Sequence, residues 1–415
     1  MHELRDRRVL LCVAGGIAAY KTPEIVRQVL EAGAHVRVAM TPAATRFITP
    51  LTLQAVSRQP VATDLLSAVD DATIGHIRLA EEADVVLVAP ATADLIGRMA
   101  GGLADDIVTA TLLATTAPVV VAPAMNTRML AHPAVVANIE RLRSWSHRIV
   151  EPDSGELACG VEGAGRLPDA DELVAEVAAA LSEQDLTGQH VLVSAGPTRE
   201  ALDPVRYISN RSSGRMGYQV AAAARRRGAT VTLVSGPSSL KPPRGCELVA
   251  VESAAEMNEA MRERVTAANV VVMVAAVADY RPTTVAPSKI KKTDGAAGMT
   301  VELTRTDDVL AGLARARGRR VVVGFAAETD DVREHARKKL GDKRLDLIVA
   351  NDVTAEGSGF DVETNSAVLI DRHGNESETG LVGKDELADA IIDRVVGLLA
   401  DAASGGRGRL EKVGQ

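Results

Sequence analysis

Aromatic side chains are scarce: three Phe, four Tyr and one Trp in 415 residues. So few rings cannot build the stacking platforms that hold single-stranded nucleic acid. Positive charge is also short, with 47 Lys and Arg against 55 Asp and Glu and a formal balance of −8, which argues against a general polyanion binder. Nucleic acid is therefore not expected as a partner. The three cysteines, Cys12, Cys159 and Cys246, lie far apart and form no CxxC pair. They make neither a disulfide framework nor a structural zinc site, so free thiols in a reducing, cytoplasmic compartment are expected. The longest apolar runs, such as Val270 to Ala278, fall far short of the ~20 residues a membrane helix needs, and no membrane contact is expected. Arg7 and Arg8 ahead of Val9 to Ala14 imitate a secretory signal, but Glu3 and Asp6 interrupt the basic region and Lys21 follows without a clear cleavage site.

What is present is a repeated alternation. Short β-branched runs near Val9 to Ala14, His35 to Met40, Asp84 to Ala89 and Pro118 to Ala122 are separated by alanine-rich helical stretches. The runs are continuously apolar, the mark of a parallel sheet covered on both faces. A second series follows near His190 to Ser194, Thr230 to Val234, Asn269 to Val274, Arg320 to Gly324 and Asp346 to Ala350. The fold class is thus α/β: two open, mostly parallel, Rossmann-like three-layer domains. At roughly 100 to 200 residues per domain, two domains suit the length. We place them at residues 1–186 and 187–402, with 403–415, rich in Gly and charge, as a flexible tail.

In such sheets ligands bind outside the carboxyl ends of the strands, so the loops that follow them carry the candidates. GGIAAYK (15–21) runs from a strand through a glycine turn into a helix and offers backbone N–H groups to an anion. It is neither GxGxxG nor a P-loop, because Tyr20 stands at the second glycine position; a tight strand-to-helix turn without ligand gives the same pattern. GHI (75–77) contains a lone His76, APATAD (89–94) and PAMN (123–126) each follow a strand, and ACGVEGAGR (158–166) is a glycine-rich flexible loop around Cys159 ending in an anion-binding Arg166. In the second half, SAGPTRE (194–200) and DPVRYISNRSSGRMG (203–217) supply hydroxyls, arginines and a helix start suited to a phosphorylated ligand. AAVADY (275–280) ends a buried strand, KIKK (289–292) follows in a loop, GFAAET (324–329) repeats the strand-to-turn pattern, and Lys339 and Lys343 stand four apart. Solvated lysine faces and polar capped loops are the ligand-free alternative.

The first set, in order over roughly residues 7 to 180, resembles the flavin-dependent phosphopantothenoylcysteine decarboxylases and implies a flavodoxin-like flavoprotein half. The resemblance implies FMN bound by Gly15, Gly16, Ile17, Thr41, Pro90, Ala91, Thr92, Ala93 and Met125. It also implies His76 as active-site base, Asn126 holding the substrate carboxylate, and Cys159 as proton donor on a clamp with Ala158, Gly160 and Arg166. Asp94 stands where that family commonly has asparagine. The implied chemistry oxidises the substrate thiol to create an electron sink, loses CO₂, and restores the saturated product with a proton from Cys159.

The second set, over roughly residues 188 to 400, resembles the phosphopantothenate–cysteine ligases that use CTP, with Mg²⁺ on the phosphates. The implied path joins the phosphopantothenate carboxylate to the CTP α-phosphate as an acyl-cytidylate, which L-cysteine then attacks. By that resemblance Asn210 positions the acyl-cytidylate, Lys289 assists the second step, and Asp279 reads cytidine. Arg206, Ser212, Gly214, Met273, Val274, Ala275, Asp308, Val309, Leu310, Phe325, Lys339 and Lys343 complete the nucleotide and substrate sites. Both halves in this order resemble the bifunctional coenzyme A biosynthesis flavoproteins, which implies a homo-oligomer, a dodecamer of decarboxylase trimers and ligase dimers. Two rivals are a nicotinamide-dinucleotide oxidoreductase and a non-catalytic nucleotide-binding regulator. The first is weakened because neither opening strand leads into GxGxxG.

Overall fold

A computed structural model describes residues 2–66, 75–158, 160–291, 298–315, 320–328, 331–352, 359 and 362–410. The chain divides into two compact units, Met1–Glu183 and Gln184–Gln415.

The first unit begins with β1 (Arg8–Val13), α1 (Thr22–Glu31), β2 (His35–Met40), α2 (Pro50–Ser57) and β3 (Val61–Ala62). It continues through α3 (Gly75–Glu82), β4 (Val85–Ala91), α4 (Ala93–Gly101), α5 (Ile107–Ala114) and β5 (Val119–Pro123). Then come α6 (Thr127–Leu130), α7 (Pro133–Ser144), β6 (Arg148–Ile149), the hairpin β7 (Asp153–Glu156) with β8 (Glu162–Arg166), and α8 (Ala170–Leu181). The main sheet is parallel with order β3-β2-β1-β4-β5-β6. That is the doubly wound dinucleotide-fold order; with the two-residue edge strand β3 set aside, the remaining five follow the flavodoxin-like order. Successive residues of β1 feed opposite layers: Val9, Leu11 and Val13 pack with Ile25, Val29, Leu173 and Val177, whereas Leu10 and Cys12 pack with Leu95, Ile96 and Val108. Burial on both faces is why these strands read as unbroken apolar runs.

The second unit contains β9 (His190–Ala195), a small ribbon of β10 (Arg199–Ala201) and β11 (Tyr207–Ser209), α9 (Arg215–Arg226), β12 (Thr230–Ser235) and β13 (Glu247–Ala250). Next are α10 (Ala254–Arg264), β14 (Val270–Met273), the ribbon strands β15 (Tyr280–Pro282) and β16 (Leu303–Arg305), α11 (Val309–Arg315) and β17 (Val321–Glu328). The unit closes with α12 (Val332–Asp342), β18 (Leu347–Asp352), β19 (Thr364–Asp371), β20 (Glu376–Gly383) and α13 (Lys384–Leu410). Its eight-stranded sheet has order β13-β12-β9-β14-β17-β18-β19-β20. It is parallel as far as β18, and β19 and β20 add an antiparallel hairpin at one edge. Helix α13 continues to Leu410, through much of the segment expected as a tail; residues 411–415 lie outside those described. Among the described residues no helix is long and apolar enough to cross a membrane.

Candidate functional site

In a doubly wound sheet the crevice opens where the strand order reverses, here between β1 and β4. A cavity of about 1410 Å³ lies at that point. The glycine turn after β1, the Thr41 turn after β2, the Thr92 turn after β4 and the Met125–Asn126 turn after β5 all line it. Gly15 passes so close to the Thr41 turn that a β-carbon on it would lie 2.5 Å from Ala43 Cβ, so backbone rather than side chain faces the space. The turn does not open directly onto an α-helix, as the sequence pattern implied. Residues Ile17–Lys21 form a tighter 3₁₀ turn, because Pro23 in the first turn of α1 fixes where that helix begins.

Of the residues expected around the flavin, Gly15, Gly16, Ile17, Thr41, Thr92, Ala93 and Met125 line this cavity. Pro90 and Ala91 are not among the lining residues; both are buried in β4, where the Pro90 carbonyl accepts from the Ala14 N–H at 3.2 Å and the Ala91 carbonyl from the Ala124 N–H at 3.0 Å. They support the neighbouring turns. The Thr41 and Thr92 hydroxyls accept from the Ala44 and Leu95 N–H groups, and Asn126 Oδ1 accepts from the Arg128 N–H at 2.9 Å. The turns are thereby held rigid by their own side chains.

The segment read as a flexible loop is a β-hairpin. Its second strand seats on the Asn126 turn: Met125 donates its N–H to the Gly165 carbonyl at 3.0 Å, and the Thr127 hydroxyl donates to the Ala164 carbonyl at 2.8 Å. Ala158, Gly160 and Arg166 line the cavity with Asn126. Cys159 lies outside the described residues. Burial pushes up the thiols of the other two cysteines, Cys12 and Cys246, the latter to about 11, so neither is poised as a thiolate.

His76 is not among the residues lining the cavity. It stands in the first turn of α3, with Nδ1 buried and without a hydrogen-bond partner among the described residues. Among the cavity residues not expected from the sequence, Lys21 and Arg98 make the firmest ties. Lys21 donates from Nζ to the Leu167 carbonyl at 2.9 Å and pairs with Asp169 at 3.3 Å, tying the glycine turn to the chain beyond the hairpin. Arg98 pairs with Asp94 at 3.3 Å, Asp105 at 2.6 Å and Asp106 at 2.7 Å, and its hydrogen bond holds the Asp105 carboxyl below the usual range. The Asp94 charge is met by Arg98 one helical turn later. That four-residue spacing was the available sequence signal.

The second unit repeats the device between β9 and β14. The Ser194 hydroxyl accepts from the Val274 and Ala275 N–H groups at 3.1 and 3.2 Å. Thr198 Oγ1 accepts from the Ala278 N–H at 2.9 Å. Asn210 Nδ2 donates to the Ala276 and Val277 carbonyls at 3.4 and 3.0 Å, so Asn210, Val274 and Ala275 share one turn, with Met273 at the end of β14 and Asp279 exposed beyond it. Gly214, the residue before α9, has φ +81° and would place a β-carbon 3.2 Å from the Gly196 backbone; only glycine brings the two loops this close. The Ser212 hydroxyl accepts from its N–H at 3.2 Å. At the next strand, which runs on to Glu328 through the expected turn, Lys339 Nζ donates to the Phe325 carbonyl at 2.9 Å, and Lys343 pairs with Asp308 at 2.9 Å, immediately before the buried Val309 and Leu310. Lys343 is the cap residue ending α12 rather than part of it. Arg206 directs its Nε and Nη2 at Asp203, and Lys289, far along the chain, is exposed.

Comparison with known proteins gives a consistent result. Residues 1–182 match the family model described as Flavoprotein, and residues 186–399 match the DNA/pantothenate metabolism flavoprotein C-terminal domain. The chain is similar to the coenzyme A biosynthesis bifunctional protein CoaBC of Escherichia coli strain K12, 49% identical over 398 residues that cover 95% of this chain and 98% of the relative. It is 47% identical over 399 residues to the protein of that name from Bacillus subtilis, covering 95% and 98% respectively. A crystal structure of the C-terminal domain of a CoaBC protein is 40% identical and aligns with 53% of this chain and 100% of that one, with a TM-score of 0.46.

Proposed function

The chain belongs to the family of coenzyme A biosynthesis bifunctional proteins, and from that premise we propose which residues carry each of its two activities. It is a flavoprotein decarboxylase joined to a phosphopantothenate–cysteine ligase; a nicotinamide-dependent oxidoreductase is not favoured. The observation that carries the residue assignment is the cavity at the β1/β4 crevice, lined by four of the five expected motifs of the first half, GHI being the exception. We assign the decarboxylase to residues 1–186 and the ligase to 187–402.

FMN fits the first cavity. Its volume exceeds the ~300–1,000 Å³ usual for a ligand pocket, which leaves room for a substrate beside the flavin, and the close approach of Gly15 to Ala43, which a β-carbon would block, turns backbone toward the space. When bound, the flavin supplies a reversible hydride acceptor next to the substrate's thiol-bearing carbon. The chain supplies the rest. Asn126, fixed by its cap on α6 and by the seated hairpin, orients the substrate carboxylate; Arg166 holds negative charge nearby. His76 removes the thiol proton, and Cys159 returns a proton to the carbon that lost CO₂. Because His76 is not among the lining residues of its own cavity, we propose that a second copy of the chain contributes it, in a homo-oligomer with decarboxylase trimers, ligase dimers and twelve copies in all by family resemblance.

In the ligase the phosphopantothenate carboxylate attacks the α-phosphate of CTP, releasing pyrophosphate, and the amine of L-cysteine then displaces CMP. Asn210 holds the acyl-cytidylate beside the 274–277 turn, Asp279 reads the nucleoside, Lys339 and Lys343 oppose phosphate charge, and Lys289 assists transfer. Mg²⁺, a hard cation satisfied by phosphate oxygens and water, accompanies CTP; we assign it no protein ligand. The setting proposed is the cytoplasm. The test is mass spectrometry of the products formed by the whole chain from phosphopantothenate, cysteine, CTP and Mg²⁺. Phosphopantetheine, CO₂, CMP and pyrophosphate are expected; phosphopantothenoylcysteine as the final product would remove the decarboxylase assignment, and no CTP turnover the ligase one.

A further inference from the structure

Lys289 stands in a segment that the core does not hold. From Thr283 to Ile290 no side chain is buried, so apolar packing does not fix its path. Polar contacts do. Asp203, 2% exposed, accepts at Oδ1 from the Val205 and Arg206 N–H groups, both at 2.8 Å. At Oδ2 it accepts from Arg206 Nε at 2.9 Å, Arg206 Nη2 at 2.6 Å and the Ile290 N–H at 3.0 Å. The same Arg206 Nη2 donates to the Ile290 carbonyl. Both backbone groups of Ile290, the neighbour of Lys289, are therefore gripped by one ion pair from the DPVRY segment, 87 residues away in sequence. A second tie runs from the Ala286 N–H to the Leu202 carbonyl at 3.0 Å.

We propose that Asp203 is a positioning residue of the ligase: with Arg206 it clamps Ile290 and so sets where Lys289 stands during transfer to cysteine. The inference rests on the reading of Lys289 as a transfer residue. A buried carboxylate with five donors is stiff, and a Lys whose neighbour is held by both its N–H and C=O cannot slide along the chain direction, although its own side chain stays free to reach. Asp203 touches neither substrate nor nucleotide on this account; it acts through the backbone. Releasing the clamp should leave activation of the carboxylate by CTP much less affected than transfer, since a displacement of about 1 Å can cost on the order of 100-fold in rate.

The experiment compares the full-length wild type with Asp203→Ala, Asp203→Asn and Lys289→Gln, measuring pyrophosphate release and cysteine transfer separately by rapid quench. Limited trypsin cleavage after Lys289 and Lys291 is followed in parallel by mass spectrometry. For Asp203→Ala the ratio of transfer to activation should fall by roughly 10- to 100-fold and cleavage should accelerate. Asp203→Asn, which keeps an acceptor oxygen but loses the charge, should fall between it and wild type. A proportional loss of both half-reactions would make Asp203 a structural residue only, and an unchanged ratio with unchanged cleavage would overturn the clamp. If Lys289→Gln transfers normally, it is the Lys289 assignment that fails; if Lys289→Gln is impaired and Asp203→Ala is not, the positioning inference alone fails.

Discussion

Gly165 and Met125 are packed backbone to backbone: a β-carbon on Gly165 would lie 2.0 Å from the Met125 carbonyl oxygen, and the glycine holds φ at +138°. No side chain fits that gap, and the conformation itself is one that L-residues rarely adopt. Gly165→Ala must therefore unseat the β7–β8 hairpin from the Asn126 turn. The strain, on the order of 1–3 kcal/mol, falls on the substrate clamp rather than on the sheet. Decarboxylation should drop at least tenfold while thermal unfolding of the unit shifts only modestly; activity equal to wild type would show that the hairpin need not be seated.

Gly15 makes the corresponding contact on the flavin side. Its substitution by Ala brings Cβ to 2.5 Å from Ala43 Cβ and forces the 15–21 turn away from the Thr41 turn. The purified variant is expected to lose most of its FMN, read as visible absorbance per chain, with ligase turnover intact. Retention of a full complement of FMN would remove this turn from the cofactor site.

Two side chains are assigned to opposite ends of the decarboxylation. Cys159→Ser should keep FMN, release CO₂ and stop before the saturated product; His76→Asn should fail at the first oxidation. If different copies contribute them to one site, mixing the two inactive variants under exchange conditions should restore a fraction of the activity, measured as phosphopantetheine formed. Normal product yield from Cys159→Ser would exclude it as the proton donor.

The Lys343–Asp308 pair at 2.9 Å and the Lys339–Phe325 contact at 2.9 Å tie the end of α12 to the Asp308 turn and to β17. Although burial raises the Asp308 carboxyl, the Ala311 N–H and Lys343 outweigh it and hold the group below its ordinary range. Lys339→Gln and Lys343→Gln should each raise the KM for CTP by roughly tenfold, the loss of one charge-assisted contact, with little change for cysteine. ATP supporting the reaction as well as CTP would overturn the nucleotide assignment.

Asp371, assigned to neither reaction, provides a pH test. It accepts from the His373 and Asn375 N–H groups at 2.9 and 3.0 Å and from Asn375 Nδ2 at 2.9 Å, with Arg394 at 3.3 Å. Burial raises its pKa, but these donors prevail and the folded value is lowered. A carboxylate with a depressed folded value contributes its stability fully above the unfolded value of about 3.9 and loses it as pH falls through the folded one. The difference in urea midpoint between wild type and Asp371→Asn should be largest near neutrality and shrink on acidification below about pH 4. A difference that stays constant with pH would mean the charge contributes nothing.

The strand series was legible because burial on both faces leaves Val, Ile, Leu and Ala in unbroken runs, as Val9 to Val13 and Val270 to Met273 illustrate. The hairpin was not. Gly163, Ala164 and Gly165 have little strand preference of their own; they pair because the Met125–Thr127 turn receives their backbone. Lys21 likewise looked like the end of a glycine motif until folding brought it to Leu167 and Asp169. Local pattern thus determined by itself two layered α/β units, the order of the motifs and the loops in which to look for chemistry, since periodicity and turn residues act over a few positions. Only tertiary structure decided that Asp203 grips Ile290, that Lys21 reaches Leu167 and Asp169 and that Thr127 receives Ala164. Those are contacts between distant segments, whose energies depend on which backbones the closed sheet brings within hydrogen-bond reach.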